Sequence, residues 1–226
     1  MTTLADLQAR TQTMLGDSGE TRFSDDLLEE ALRQALDMLS HASPQVSRQV
    51  FTFTAGGRDQ SLAECEGFIA LLDFIYPYDA GIPDGQVCRA PHYIFWDGGV
   101  HCLHIGGGRI PVVGEKLLVN YAAAHTLQGL DGAETTSIRP GHESLLVIGA
   151  AGMAAISRSA QISEAHGSPA SDEQALHEWG SQRMAVFNQS LERLRRSDAA
   201  RPSIGYPGSQ PHWRLDGWDR RSTQGG

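Results

Sequence analysis

The sequence predicts an α+β protein: a four-helix body, two helices at each end, with an inserted small antiparallel β-sheet or barrel and an extended C-terminal arm. Three observations carry this reading. Apolar residues in the first 45 positions recur with a period near 3.6, the signature of helices with one buried face. Over residues 46–123 the period changes to two and turn residues recur at short intervals, as in antiparallel sheets. From residue 142 the helical period returns, and beyond residue 196 periodicity stops. The body is therefore placed at residues 1–197, its β insert at about 46–123, and the arm at 198–226.

The first helix is expected at 3–15, with Leu4, Leu7, Thr11, Met14 and Leu15 on one face. Thr3 and Asp6 have capping-box spacing, with Asp where Glu or Gln is usual. Gly16 suits the left-handed residue that ends many helices. The second helix is expected at 24–40. Ser24 is a favourable N-cap, Asp25 and Asp26 suit the positive end of the helix dipole, and Phe23 is spaced to pack on Leu28. Leu28, Ala31, Leu32, Ala35, Leu36 and Leu39 form its apolar stripe, and Pro44 closes it.

Strands are expected at 46–54, 68–76, 93–96, 100–105 and 115–122. Phe51 and Phe53 share a face of the first, and Pro77 ends the second. Asp97-Gly98-Gly99 between the third and fourth is the best hairpin signal, because tight hairpin turns need positive φ.

The third helix, HESLLVIGAAGMAAISRSAQI at 142–162, follows the punctuation Pro140-Gly141. Gly149, Ala150, Ala151, Gly152, Ala154 and Ala155 leave its centre almost without bulk. Glycine inside a helix costs about 1 kcal/mol relative to alanine. Two of them require a packing reason, namely another backbone close by, from the same subunit or from a neighbour. The fourth helix, 171–196, opens on the capping-box spacing of Ser171 and Gln174. Leu176, Trp179, Arg183, Met184, Phe187, Leu191 and Leu194 mark its face.

Net charge is −9 and unevenly placed. From Arg195 onward six Arg face three Asp, so residues 1–194 carry −12 and the end +3. An acidic body does not suit DNA binding at its surface, which needs clustered Lys and Arg. No uninterrupted apolar run approaches about 18 residues, so no membrane-spanning helix is expected. MTTLADLQAR lacks the basic-then-apolar order of a signal peptide. Cys65, Cys88 and Cys102 do not make a disulfide framework and are read as reduced thiols.

Metal chemistry has one candidate cluster: Cys88, His92, Cys102 and His104, with His101 beside them. Zinc needs four such ligands converging tetrahedrally. Cys102 and His104 share a strand face, but His101 points away and no CxxC pair anchors a site, so ordinary sheet residues are preferred. Gly106–Gly108 with Gly114-Glu115-Lys116 lacks the spacing and the Ser/Thr of a phosphate loop. There is no GxSxG and no HExxH. No catalytic residue, cofactor or bound metal is expected, and the protein is not read as an enzyme. The arm carries Tyr206, Trp213 and Trp218 with Arg214, Arg220 and Arg221, the residue types enriched in interface hot spots. Such a tail could also stack on single-stranded nucleic acid. Its three Asp and the acidic body favour a protein-docking arm.

Several local signatures resemble the head–tail connector, or neck adaptor, proteins of tailed bacteriophages. They are Leu15-Gly16-Asp17, Arg22-Phe23-Ser24-Asp25 with Leu28, Ala31-Leu32 and Ala35-Leu36; Tyr76-Pro77-Tyr78-Asp79; Asn120-Tyr121-Ala122 with His125-Thr126-Leu127; Gly129-Leu130-Asp131-Gly132-Ala133; and Glu143-Ser144-Leu145-Leu146 through Gly149-Ala150-Ala151-Gly152. The likeness spans residues 4–195; the arm is matched least. It implies a virion protein made in the host cytoplasm, forming a ring, usually of twelve copies, beneath the portal. It further implies a downstream neck or tail protein as partner, genomic DNA passing through the lumen, and a C-terminal segment reaching along the portal. No membrane is implied. A non-virion oligomeric scaffold is the second reading, and a metal-dependent enzyme on the Cys/His cluster the third.

Overall fold

A computed structural model of the chain describes residues 2–17, 22–81, 90–164 and 170–199. The element order is α1 (Leu4–Leu15), α2 (Asp25–Ala42), β1 (Gln45–Thr52), β2 (Asp59–Ser61), β3 (Phe68–Ile75), β4 (His92–Asp97), β5 (Val100–Ile105), β6 (Lys116–Ala123), α3 (Pro140–Glu164) and α4 (Ala170–Ala199). The protein is thus α+β, with the six strands among the described residues lying between α2 and α3 in sequence. Two compact units result, a helical one from residues 1–45 and 124–200 and a β one from residues 46–123.

Helix termini follow local chemistry. Thr3 Oγ1 accepts from the Asp6 amide, and the Asp6 carboxylate accepts from the Thr3 amide at 2.8 Å, so Asp closes the box. Gly16 takes φ 70°, the left-handed end of α1. Asp17 is buried and accepts from the amides of Arg22 (3.0 Å) and Phe23 (2.9 Å), which leads the chain into α2. Ser24 Oγ accepts from the Leu27 amide. Phe23 and Leu28 both enter the core. Two helices begin before their expected starts. Pro140 and Gly141 belong to the first turn of α3, where proline's missing N–H costs nothing. Ser171 lies inside α4, which already includes Ala170 and runs to Ala199, beyond the expected stop at 196.

One core unites the helical unit. Leu7 comes from α1; Leu28, Ala31, Leu32, Ala35 and Leu39 from α2; Leu146, Val147, Ala150 and Ala154 from α3; Phe187 and Leu191 from α4. The backbone that the α3 glycines require belongs to α4 of the same chain. A Cβ at Gly152 would lie 3.1 Å from the Gly180 carbonyl oxygen, and one at Gly180 would lie 2.9 Å from that of Gly152. A Cβ at Gly149 would sit 2.9 Å from the Phe187 ring. Contrary to the expectation from uninterrupted runs, α3 is long and apolar enough to cross a membrane by length and composition alone. Half of that stretch is buried within the protein itself.

His125 braces the helical unit from the loop before α3. Its amide donates to Ser40 Oγ (2.9 Å), and Nε2–H donates to the Ser43 carbonyl (2.8 Å). Nδ1 therefore accepts from the Ser137 hydroxyl (3.1 Å), which fixes a neutral tautomer. Burial holds its pKa below the ordinary histidine value, and the Arg139 cation pushes the same way against the Ser43 and Ser137 hydrogen bonds. The unfolded chain then binds a proton that the folded one refuses. Stability should accordingly fall as pH drops below about 6.5, the ordinary histidine value. Urea midpoints between pH 8 and 5 test this: His125→Gln should flatten the acid-side slope, and an unchanged slope would show that His125 is not its source.

The β unit holds two three-stranded sheets, ordered β1-β6-β3 and β2-β5-β4, rather than the single sheet or barrel expected. β3 and β6 are antiparallel from Phe68 opposite Ala123 to Ile75 opposite Leu118, with two register irregularities. β2 escapes the sequence reading because Asp59-Gln60-Ser61 has neither apolar alternation nor β-branched residues. It exists because β5 recruits it, with Asp59 opposite His104 and Ser61 opposite Cys102. The β4–β5 hairpin turns where expected, with Gly98 and Gly99 at φ 56° and 87°. Phe51, Phe53, Phe74, Tyr76, Leu103, Ile105, Leu117 and Val119 make a core common to both sheets.

Candidate docking surfaces

The pleat of β4 and β5 distributes the chemistry of this unit. Register pairs Tyr93 with His104 and Phe95 with Cys102, while His92, Ile94 and Trp96 oppose Ile105, Leu103 and His101. Directly opposed residues share a face and successive residues change face. His92 therefore lies on the face of Leu103 and Ile105, which are fully buried, and Cys102 and His104 lie on the other. The candidate ligand set is split: His104 stacks on Tyr93 at 4.6 Å and bonds Asp59 at 2.6 Å, while His92 meets the Phe74 ring edge-on. Cys88 lies outside the described residues. Among the described residues no three His, Cys, Asp or Glu side chains gather as a metal would require. Desolvation on burial raises the Cys65 thiol to about 11 and lifts that of Cys102 above its ordinary value, which leaves both as weak nucleophiles.

The outward face carries Tyr93 and Phe95, with ring centroids 5.9 Å apart, where an exposed strand face usually carries polar residues. Trp96 sits at the hairpin tip, 64% exposed, with its ring edge-to-face on His101. β4 is also an edge strand, paired with β5 alone among the described strands. Exposed Tyr93 and Trp96 beside an open edge make this a candidate interaction surface.

A second apolar surface lies in the loop between β5 and β6. Ile110, Val112 and Val113 are each more than half exposed, Val113 at 65%. The loop is nonetheless tied down at several points. The Gly106 amide donates to the Pro91 carbonyl (2.6 Å), Gly57 to Pro111 (3.1 Å), Gly114 to Phe53 (2.9 Å) and Phe53 to Glu115 (2.9 Å). The Glu115 carboxylate gathers the Tyr76 hydroxyl, the Val112 amide and the Arg109 guanidinium. The Tyr76 hydrogen bond, then the Val112 amide, hold that carboxyl below its usual range. Tyr76, desolvated by burial and facing the carboxylate, is pushed up to about 12. A loop this firmly held shows its three apolar side chains in a set arrangement.

The helical unit exposes mostly polar and charged side chains. Arg33 bridges Glu29, Glu30 and Asp131, and Arg10 pairs with Glu143 at 2.9 Å. The arm residues Tyr206, Trp213, Arg214, Trp218, Arg220 and Arg221 lie outside the described residues. Sequence reading missed the two β surfaces, although a signal was present. HYIFWD has aromatics on both strand faces, and RIPVV places three large apolar residues in a segment without strand periodicity. No family model and no curated protein matches the sequence.

Proposed function

We propose that the protein is a structural connector subunit that forms a ring between the portal and the tail of a tailed phage. The observation that carries this reading is the firmly held β unit with large apolar side chains turned outward. Such surfaces suit lasting contacts between proteins. The local likeness of the helical hairpin, the strand end at Tyr76-Pro77 and the lead-in to α3 supports the same class. In this reading the β unit is an insertion in the four-helix body. The partners are further copies, the portal, and a downstream neck or tail protein. Genomic DNA only passes through, repelled by an acidic lumen. The chain works through contacts rather than catalysis, first in the host cytoplasm and then in the virion neck. Tyr206, Trp213, Arg214, Trp218, Arg220 and Arg221 grip the portal.

Electron microscopy of the chain mixed with portal tests the proposal. Rings seated on the portal are expected, and their absence would defeat it. Deleting residues 198–226 should abolish docking while circular dichroism still shows the helical unit folded. A truncated chain that docks normally would remove the arm from the proposal.

A further inference from the structure

We infer that the arm beyond α4 docks on the β unit of its own chain, at the end where the β4–β5 hairpin turns. A row of aromatic rings flanked by carboxylates takes the arm's Arg and Trp side chains there. The inference goes beyond the connector reading and does not need it, since a parked arm is withheld from any partner.

The rings form a continuous row. Trp96 meets His101 with centroids 4.6 Å apart, His101 meets Phe68 at 4.9 Å, and Phe68 stacks on Tyr121 at 5.8 Å. In that order β4, β5, β3 and β6 supply one ring each, so the row links both sheets. Tyr121 is its buried end, and Trp96, 64% exposed, its open one. The turn between β2 and β3 is pinned alongside, because the Leu62 amide donates to the His101 carbonyl at 2.8 Å. That turn carries Glu64 and Glu66, both exposed, and Asp97 is exposed next to Trp96. Burial first, then Cys65 and Glu66, raise the Tyr121 hydroxyl above its ordinary value, which sets Glu66 near the row.

These carboxylates keep their charge. Among the described residues no Lys, Arg or His pairs with Glu64, Glu66 or Asp97. Glu64 accepts from the neutral Gln49 amide at 3.2 Å. An aromatic face beside uncancelled carboxylates selects a cation; Trp is the best ring for such a contact and Arg the commoner cation. In the helical unit Arg33 and Arg10 already hold Glu29, Glu30, Asp131 and Glu143. Its Trp179 already lies under Arg183, 5.0 Å from the ring centroid.

The arm has the matching chemistry. Residues 200–226 hold four Arg and two Asp, a net +2, together with Tyr206, Trp213 and Trp218. Residues 46–123 hold five Lys or Arg against eight Asp or Glu, a net −3. From Ala199 the chain has 27 residues left. Extended, they span up to roughly 90 Å, against roughly 35 Å across a compact unit of about 120 residues. Length therefore does not keep the arm from the β unit. The tether also holds it at an effective concentration on the order of 1 mM, so a contact of about 0.1 mM affinity is made about ten to one.

Trypsin cutting after Arg214 and Arg221 tests the inference in the full chain. The variants are Trp96→Ala, the double variant Glu66→Gln/Asp97→Asn, and Val113→Asp as a control in the loop between β5 and β6. All four positions are exposed, so the variants are expected to fold, as circular dichroism checks. Mass spectrometry should show both sites cut about tenfold faster in the first two, because cleavage follows the population of the free arm. Val113→Asp should leave the rate unchanged, and Trp96→Phe, which keeps a ring, should retain most of the protection. Equal cutting in the unaltered chain, Trp96→Ala and Glu66→Gln/Asp97→Asn would overturn the inference. So would protection that grows with protein concentration, which would place the arm on a neighbouring copy. Equal loss of protection in Val113→Asp would overturn it too, by making the effect one of general stability. An arm cut at one rate throughout, with rings still forming on portal, would remove the parked arm and leave the connector proposal standing. Protection lost with Trp96, with no ring on portal, would do the opposite.

Discussion

Replacing Phe187 by alanine is expected to lower the stability of the helical unit by about 3–5 kcal/mol, the range for emptying an aromatic site in a core. Phe187 is fully buried and packs directly over Gly149, so α3 has no side chain with which to fill the space. At about 2–4 °C per kcal/mol for chains of this size, Tm should fall by roughly 6–20 °C. Helical circular dichroism during urea and thermal unfolding measures it. The same geometry makes a coupled prediction. Gly149→Val alone should destabilise, because its Cβ would meet the ring at 2.9 Å. Introduced into the Phe187→Ala protein, it should instead recover part of the loss, since the new side chain enters the vacated volume. A double-mutant cycle should therefore give a coupling of about 1–3 kcal/mol, as residues in contact do. Additive effects would show that Gly149 and Phe187 are not neighbours.

Gly180→Leu is expected to cost about 2–3 kcal/mol despite leucine's better helix propensity. Propensity favours the change by about 1 kcal/mol. Against it, a Cβ at Gly180 would stand 2.9 Å from the Gly152 carbonyl oxygen and 2.9 Å from Ile156 Cγ1. The carbonyl belongs to the α3 backbone and cannot rotate aside, so the helices must separate along the row that buries Ala151, Ala154 and Ala155. Gly141→Ala is the control: it lies in the first turn of α3 with nothing within 4 Å of the added carbon. It should be neutral or gain up to about 1 kcal/mol. Equal stability of Gly180→Leu and Gly141→Ala would separate α3 from α4.

Legibility followed the range of the interactions involved. Thr3 with Asp6, Gly16, and Ser24 act within a turn of their own positions, so their roles were readable from neighbours in sequence. The Gly98-Gly99 turn was readable for the same reason, since its backbone needs residues that tolerate positive φ. Asp59-Gln60-Ser61 was not readable, because its strand depends on β5, over 40 positions later. Alternation along one strand already set His101 apart from Cys102 and His104; register adds His92, which falls on the face away from both once Trp96 opposes His101.

The sequence alone determined four helices with the caps Thr3, Gly16 and Ser24 of the first two, the hairpin at Asp97–Gly99, and the need of Gly149 and Gly152 for a close neighbour. Tertiary structure decided that the neighbour is α4, met at Phe187 and Gly180, and that the strands divide into two sheets. It also left Trp96 and Val113 turned to solvent. The physical reason is that periodicity records which side of an element is apolar, whereas the surface covering that side comes from residues far along the chain. Gly180 looked unremarkable within its own helix, and its meaning came only from Gly152 lying across from it.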